Sequence, residues 1–262
     1  MMTDKEMLAV AANQSAEDIG CKADDFFMDK NIAVPFKLGA DAKKYYSLPI
    51  AANFISYGNN VVAAATDDCF DTVKEYINTF DFYHCFETPN LYWLNKRLEP
   101  KGYTVCFMAE YFLPNLNQLK ELPCKYEFKV LEQKDFAKLY LPEWSNALCA
   151  DRKELDVLGV GAYDEGRLIG LAGCSADAKD MLQIGVDVLP EYRRGGVASA
   201  LTSRLATEIL KRDKVPFYCC AWSNIRSAKN AIRSGFSLAW AEMTVKPLDA
   251  VNEMNEKKKN PI

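Results

Sequence analysis

The chain has 262 residues, 49% of them hydrophobic and 26% charged. This is an ordinary globular composition, which excludes the disordered and fibrous classes, and the length favours two domains. A formal net charge of -4 supplies no field that would draw in nucleic acid or an acidic membrane.

No stretch reaches the ~18 apolar residues of a membrane span. The start, with Asp4, Glu6, Glu17 and Asp18, lacks the basic and apolar regions of a signal peptide. A cytoplasmic location is expected. Nine cysteines are odd in number and show no CxxC or Cys/His ligand spacing, so reduced structural thiols and no metal site are expected. His84, the single histidine, lies in the run Phe82-Tyr83-His84-Cys85-Phe86 and reads as a strand or core residue. That argues against a Ser/His/Asp triad.

In chain order, residues 1–35 read as helical, with Ser15 and Asp18 as a capping-box-like start and a helix running toward Met28. Val61 to Ala65 is a short strand, and Thr66-Asp67-Asp68 caps a helix through Ile77. Phe80 to Phe86 is expected as a strand. Asn90 to Leu98 is expected as a helix closed by Pro100 and Gly102, and Tyr103 to Phe112 as a long strand. The polar, Pro-bounded stretch Pro114 to Pro123 is a linker signal.

From Lys125 the pattern restarts. Strands are expected at 126–131, 157–163, 167–175, 181–189, 215–222 and 236–245, with Asp164-Glu165-Gly166 as a hairpin turn. Helices are expected at 135–148, 196–211 and 227–234. This β-α-β-β-β-α-β-α-β order implies a mixed sheet with helices packed on it. The predicted domains are an N-terminal α/β domain over 1–115, a linker over 116–124, a second domain over 125–248 and a tail over 249–262. The ends of the two halves also rhyme, Phe82–Phe112 with Phe217–Val245, which raises an internal duplication as an expectation.

The most informative stretch is Ile184-Gly185-Val186-Asp187-Val188-Leu189-Pro190-Glu191-Tyr192-Arg193-Arg194-Gly195-Gly196-Val197-Ala198. A strand ends at a proline, two glycines permit a tight loop, and a helix begins. Unsatisfied N–H groups and a partial positive charge at that start stabilise an anion. Arg193 and Arg194 add charge-assisted contacts suited to a phosphate. No GxxxxGK[ST] and no GxGxxG after a strand is present, so nucleoside triphosphate and dinucleotide sites are unsupported.

The loop resembles the R/Q-x-x-G-x-G/A loop of the GNAT superfamily of CoA-dependent N-acetyltransferases, with Arg193, Gly196 and Ala198 at its signature positions. Asn224, followed eleven residues later by Gly235-Phe236, resembles the family's second cofactor motif. The resemblance covers about Lys125 to Val245. It implies a GNAT-like acyl-CoA N-acyltransferase fold: an α/β (α+β) architecture with a mixed, mostly antiparallel splayed sheet flanked by helices. It also makes the N-terminal domain a possible degenerate copy.

The same resemblance implies acetyl-CoA as cofactor. Pantetheine would lie between two splayed strands along Val186, Asp187 and Val188, and the phosphates on Arg193, Arg194, Gly195, Gly196, Val197, Ala198 and Ser199. Asn224 and Ser227 would form the opposite wall. It implies direct attack by a small-molecule or peptide amine, in a monomer or homodimer. Many members carry a tyrosine seven residues after the motif Asn, where this chain has Ala231. The strand before the loop carries Gln183 and Gly185 rather than the glutamate some members use as base. Asp187 is then the candidate base or water-positioning group, with Glu242 and Tyr163 as weaker ones. Two alternatives follow: a catalytically silent acyl-CoA binder or sensor, and an acyltransferase for longer chains.

Overall fold

The computed structural model describes residues 2–47 and 49–259. In chain order its elements are α1 (Asp4–Ile19), β1 (Ile32–Pro35), β2 (Ala52–Ser56), β3 (Val62–Ala65), α2 (Asp67–Thr79), α3 (Thr88–Leu98) and β4 (Tyr103–Pro114). There follow β5 (Glu127–Glu132), β6 (Asp156–Asp164), β7 (Arg167–Ser175), β8 (Met181–Val188), α4 (Val197–Leu210), β9 (Val215–Ala221), α5 (Ile225–Arg233), β10 (Phe236–Pro247) and α6 (Leu248–Lys259). This is a mixed, largely antiparallel open sheet architecture flanked by helices.

The chain divides into two compact units, Met1–Val10 with Tyr111–Ala239, and Ala11–Glu110 with Trp240–Ile262. The crossings fall inside α1, β4 and β10. The sequence places boundaries at 115/116, 124/125 and 248/249 instead. Turn signals mark where regular structure stops, whereas these crossings lie within continuous strands and a helix, where composition does not change.

In the unit built from Ala11–Glu110 and Trp240–Ile262, strand order is β1-β3-β2-β10-β4. β1 and β3 are parallel, from Ile32↔Val62 to Pro35↔Ala65, and the pairs β2/β3 and β2/β10 are antiparallel. The core joins Phe54, Val61, Ala63, Val73, Tyr76, Ile77, Leu94, Leu98, Met243 and Val245. Lys43 is buried here against Asp18 (2.7 Å), and the Trp240 indole donates to Glu242 Oε1 (2.8 Å).

Five expectations for this part of the chain are corrected. Ser15 lies within α1 and bonds Tyr57, while the capping box is Thr3 with Glu6: Thr3 N donates to Glu6 Oε2 (2.7 Å) and Glu6 N to Thr3 Oγ1 (3.2 Å). The helix stops at Gly20 (φ +79°) rather than near Met28. Residues 80–86 form a 3₁₀ turn over Phe82–His84, with Cys85 buried and Tyr83 and His84 exposed, so His84 is neither a strand nor a core residue. The rhyme with Phe217–Val245 therefore breaks at its first element, since Phe217 lies in β9. Strands β1 and β2 carry no alternation that sets them apart in sequence. Residues 248–259 form α6 where a tail is expected.

In the unit Met1–Val10 with Tyr111–Ala239, strand order is β9-β8-β7-β6-β5. β5 to β8 form an antiparallel meander, and β8 pairs β9 in parallel. The β6–β7 turn uses positive φ at Glu165 (47°) and Gly166 (85°), which a two-residue hairpin with matching twist requires. α4 packs on β6, β7 and β8 through Val197, Leu201, Leu205 and Ile209, against Val160, Ile169, Ile184 and Val188. The stretch after β4 has no regular structure but is tied in: Asn115 N bonds Gly235 O (2.9 Å) and Leu119 packs against this core.

The expected helix 135–148 is replaced by two 3₁₀ turns, Gln133–Lys138 and Pro142–Trp144. Pro142 lacks the N–H an α-helix needs there, and Phe136, Trp144 and Leu148 bury themselves as a separate cluster with Leu131 and Leu171. None of the nine cysteines forms a disulfide.

At the start of β6, Asp156 is buried beneath this segment, accepting from Cys149 N (2.9 Å). Burial pushes its carboxyl up to about 6, against the lowering effect of the Cys149 and Tyr140 hydrogen bonds. A folded-state value above the unfolded ~3.9 means its stabilising contribution is full below about pH 4 and lost as pH rises through about 6. The melting temperature is expected to fall by a few degrees from pH 5 to pH 7.5, at roughly 2–4 °C per kcal/mol. Thermal melts of Asp156→Asn should show that fall removed.

Candidate functional site

The site begins where β8 and β9 part. Their pairing runs from Met181↔Val215 to Ile184↔Tyr218 and stops, although β8 continues to Val188 and β9 to Ala221. On its other edge β8 stays paired with β7 through Gly170↔Val188. Leu189 gives its N–H to Ile169 O (3.0 Å). Backbone groups of a strand alternate between its two edges. Val186 and Val188 therefore direct theirs into the gap beside β9. The Val188 carbonyl accepts there from Arg193 Nε (2.8 Å).

The gap is a cleft of about 480 Å³ lined by Asn146, Gln183, Val186, Asp187, Tyr218, Cys219, Asn224 and Ser227, among others. It shares Val188, Arg193, Ala198, Arg226 and Asn230 with a second hollow of about 320 Å³ over the start of α4. That hollow is lined in addition by Tyr192, Arg194, Gly196, Val197, Ser199 and Arg233. Four arginines thus converge on one helix N-terminus. Arg194 (φ 67°) and Gly196 (φ 81°) turn the chain left-handed into α4, and Gly196 as N-cap has no side chain to occupy the first N–H groups. A Cβ built on Gly196 meets no atom within 4 Å, and one on Gly195 meets only Tyr192 O at 3.8 Å. The space above the loop is open and its donors face it. An anion is stabilised in such a place by the helix dipole and the guanidinium charges together.

The opposite wall is the start of α5. Asn224 caps it, its side chain accepting from Ser227 N (3.2 Å), and the Ser227 hydroxyl bonds the Tyr218 hydroxyl (2.8 Å). Asn230 fastens α5 to α4, accepting from Ser199 Oγ (2.9 Å) and donating to Thr202 Oγ1 (3.1 Å). Burial raises the Tyr218 phenol above its usual value, opposed by hydrogen bonds from Ser227 and Asn230.

Asp187 is engaged. Its Oδ2 accepts from Asn146 N (2.8 Å) and Ala147 N (3.0 Å), and its Oδ1 from Asn146 Nδ2 (2.7 Å). The same segment lies against two strand glycines. A Cβ on Gly185 would stand 1.8 Å from Asn146 O, and one on Gly173 2.2 Å from Ala147 O. Gly173 and Gly185 face each other across β7 and β8. Glycine is required at both because a backbone crosses them. Gln183 Nε2 reaches Cys219 Sγ (3.2 Å) in the cleft.

Of the weaker candidates, Glu242 is buried in the other unit, holding Trp240 and lying 3.9 Å from Lys43. Tyr163 packs beneath the Lys129 ammonium and is not among the cleft's lining residues. Ala231 is fully buried in α5 and offers no hydroxyl. Among the described residues no group of His, Cys, Asp and Glu is placed to hold a metal.

A family model described as GNAT acetyltransferase matches residues 95–240, more than half of the chain. The chain belongs to the GNAT acetyltransferase family. Similar solved structures include a GCN5-related N-acetyltransferase-like protein from Streptococcus suis, 22% identical with a TM-score of 0.46, over 59% of this chain and 67% of that one. A GCN5-related N-acetyltransferase from Kribbella flavida is 14% identical with a TM-score of 0.47, over 76% of this chain and 88% of that one. A putative GNAT acetyltransferase from Novosphingobium aromaticivorans is 19% identical with a TM-score of 0.42, over 55% of this chain and 66% of that one. No curated protein shows a significant sequence match.

Val186, Asp187, Val188, Arg193, Arg194, Gly196, Val197, Ala198, Ser199, Asn224 and Ser227 line the cleft or the hollow beside it, whereas Gly195, Gly235 and Phe236 line neither. Sequence reasoning missed others that line these spaces with them, Tyr192 and Asn230 among them. Asn146 comes from a segment read as helix, Tyr218 from one read only as a strand, and Arg226 and Arg233 from a helix whose orientation had no local signal. The spacing of Arg226 and Arg233, two turns apart on one face of α5, could have found that pair.

Proposed function

We propose that this GNAT acetyltransferase transfers an acetyl group from acetyl-CoA to a primary amine of a small molecule or peptide, as a cytoplasmic monomer or homodimer. The observation that carries the reading is the parting of β8 from β9 after Ile184↔Tyr218, continuous with the arginine-lined start of α4. An extended chain ending in phosphates fits it: unpaired strand amides along the gap, then an anion site with room above Gly195 and Gly196.

In this reading Arg193, Arg194, Gly195, Gly196, Val197, Ala198 and Ser199 hold the phosphates. Val186 and Val188 pair with the pantetheine amides, and Asn224 and Ser227 shape the facing wall. Bound acetyl-CoA supplies a thioester open to direct attack by a neutral amine. An N–H of β8 facing the gap stabilises the carbonyl oxygen as charge builds on it. Asp187 is a positioning residue: its oxygens hold Asn146 and Ala147 against the sheet, so the wall on that side of the cleft keeps its shape. The amine proton leaves through water, since the cleft's one carboxylate is occupied.

A second reading, a catalytically silent acyl-CoA binder, is favoured by Ala231 and by that occupied carboxylate. Turnover separates them. Acetyl-CoA is expected to release free thiol with at least one member of an amine panel, at a rate rising with pH as the amine loses its proton. Thermal stabilisation by CoA, of order RT ln(1 + [L]/Kd), with no thiol release from any amine would establish the silent binder instead.

A further inference from the structure

The place of the missing tyrosine on α5 is taken by Ala231, yet a phenol stands at the apex of the cleft. Tyr218 is the last residue of β9 paired with β8 before the strands part. It lines the cleft, and its ring lies in the same core as Ile184 and Val188. Parallel partners share a sheet face, so Tyr218 stands on the face of Ile184, Val186 and Val188, the line along which an extended ligand would run.

Its hydroxyl is held by α5. Ser227 Oγ is 2.8 Å away, and Asn230 lines the cleft on the same helix. Asn230 is itself fixed by Ser199 and Thr202 of α4. A phenol oxygen accepts two hydrogen bonds and donates one. Either hydroxyl of the Tyr218–Ser227 pair can donate, and with Ser227 as the donor the phenol's own proton is turned to a partner in the cleft.

We propose that Tyr218 is the residue that receives the leaving sulfur, its hydroxyl donating a hydrogen bond to the thiolate as the carbon–sulfur bond breaks. The inference rests on the acyl-CoA reading above. Nitrogen forms its bond to the carbonyl carbon, the carbon–sulfur pair goes to sulfur, and the surplus proton on nitrogen passes to water. The sulfur leaves as a thiolate bonded to Tyr218 and takes a proton from water on release, so charge and protons balance. The proton stays on the phenol oxygen, because a thiol of pKa about 8.5 is a stronger acid than a phenol at about 10. Burial, which raises Tyr218 further, acts in the same direction.

The test needs no acceptor. The bound CoA thiol is titrated by the ultraviolet absorbance of its thiolate, in wild type and in Tyr218→Phe, each saturated with CoA as judged by calorimetry. Burial of the sulfur affects both complexes alike, so the difference isolates the hydroxyl. The thiol pKa is expected to be about one unit higher in Tyr218→Phe, a tenfold change in thiolate stability. Ser227→Ala should shift it in the same direction by less, and it carries the test if Tyr218→Phe does not fold. Equal thiol pKa values in complexes that bind CoA normally overturn the role of Tyr218 and leave the acyl-CoA reading standing. Absence of CoA binding by the wild type overturns both.

Discussion

Calorimetric titration of the double variant Arg193→Ala, Gly196→Ala is expected to show CoA affinity reduced at least tenfold, with the fold retained. Two separate losses act. Gly196 has φ +81°, a conformation that costs an L-residue about 1–2 kcal/mol. A methyl there meets no protein atom, so in the free protein the change is one of backbone strain alone. In the complex the methyl projects into the space reserved for phosphate. Arg193 contributes a positive charge, and its Nε ties the loop to the Val188 carbonyl (2.8 Å), holding the helix start at the end of the cleft. Arg194, Arg226 and Arg233 remain in the variant, so binding is weakened rather than abolished. Affinity should also fall as salt rises, because these charges are partly exposed and are screened beyond a Debye length of about 8–10 Å. Unchanged affinity with an intact fold would remove the loop from the site.

The second large effect is expected at the wall opposite α5, where Asn146 and Ala147 are clamped between a carboxylate and two glycines. Gly185→Ala brings a Cβ within 1.8 Å of the Asn146 carbonyl, so the segment must move. Overpacking of this kind costs about 1–3 kcal/mol. At roughly 2–4 °C per kcal/mol for a chain of this size, the melting temperature should drop by several degrees. Asp187→Ala removes the acceptor of two backbone N–H groups and one amide. Its cost is on the order of 1 kcal/mol, the net worth of such hydrogen bonds, because the Asn146 donors are exposed and water replaces the carboxylate. If Asp187 positions this wall, Asp187→Ala and Gly185→Ala should both raise KM for the amine and leave the shape of the pH–rate profile alone. A general base would instead show itself in Asp187→Asn as a lost limb of that profile with KM unchanged. That outcome would return Asp187 to the chemistry.

The elements of the cleft-bearing unit were largely legible because each rests on a local rule. Short, mostly buried apolar runs mark β6 to β9, positive φ at Glu165-Gly166 closes the hairpin, and Asn224 announces the start of α5 by capping it. The failures are as local in origin. Phe80 to Phe86 is aromatic enough to read as a strand, but Cys85 turns inward while Tyr83 stays exposed, a spacing that only a turn satisfies. The Asp135–Leu148 helix ignores Pro142, and Ser15 draws the capping signal away from Thr3 and Glu6.

By itself, the sequence marked the glycine loop at the start of α4, the strands on either side of it and the resemblance to the GNAT family. The left-handed turn at Gly196, the proline after Leu189 and the spacing from Asn224 to Gly235 are properties of adjacent residues, and backbone sterics act at that range. Tertiary structure alone decided what the side chains do. Asp187 meets Asn146 across 41 residues, Gly185 is required by a carbonyl from that same distant segment, and Tyr218 gains its partners only when α5 folds back over β9. The division into units inside β4 and β10 belongs here too, because it follows from which residues pack together. Packing and hydrogen bonding between remote segments leave no local periodicity. The proposed anion pocket could therefore be read from the residues, while the roles proposed for Asp187 and Tyr218 could not.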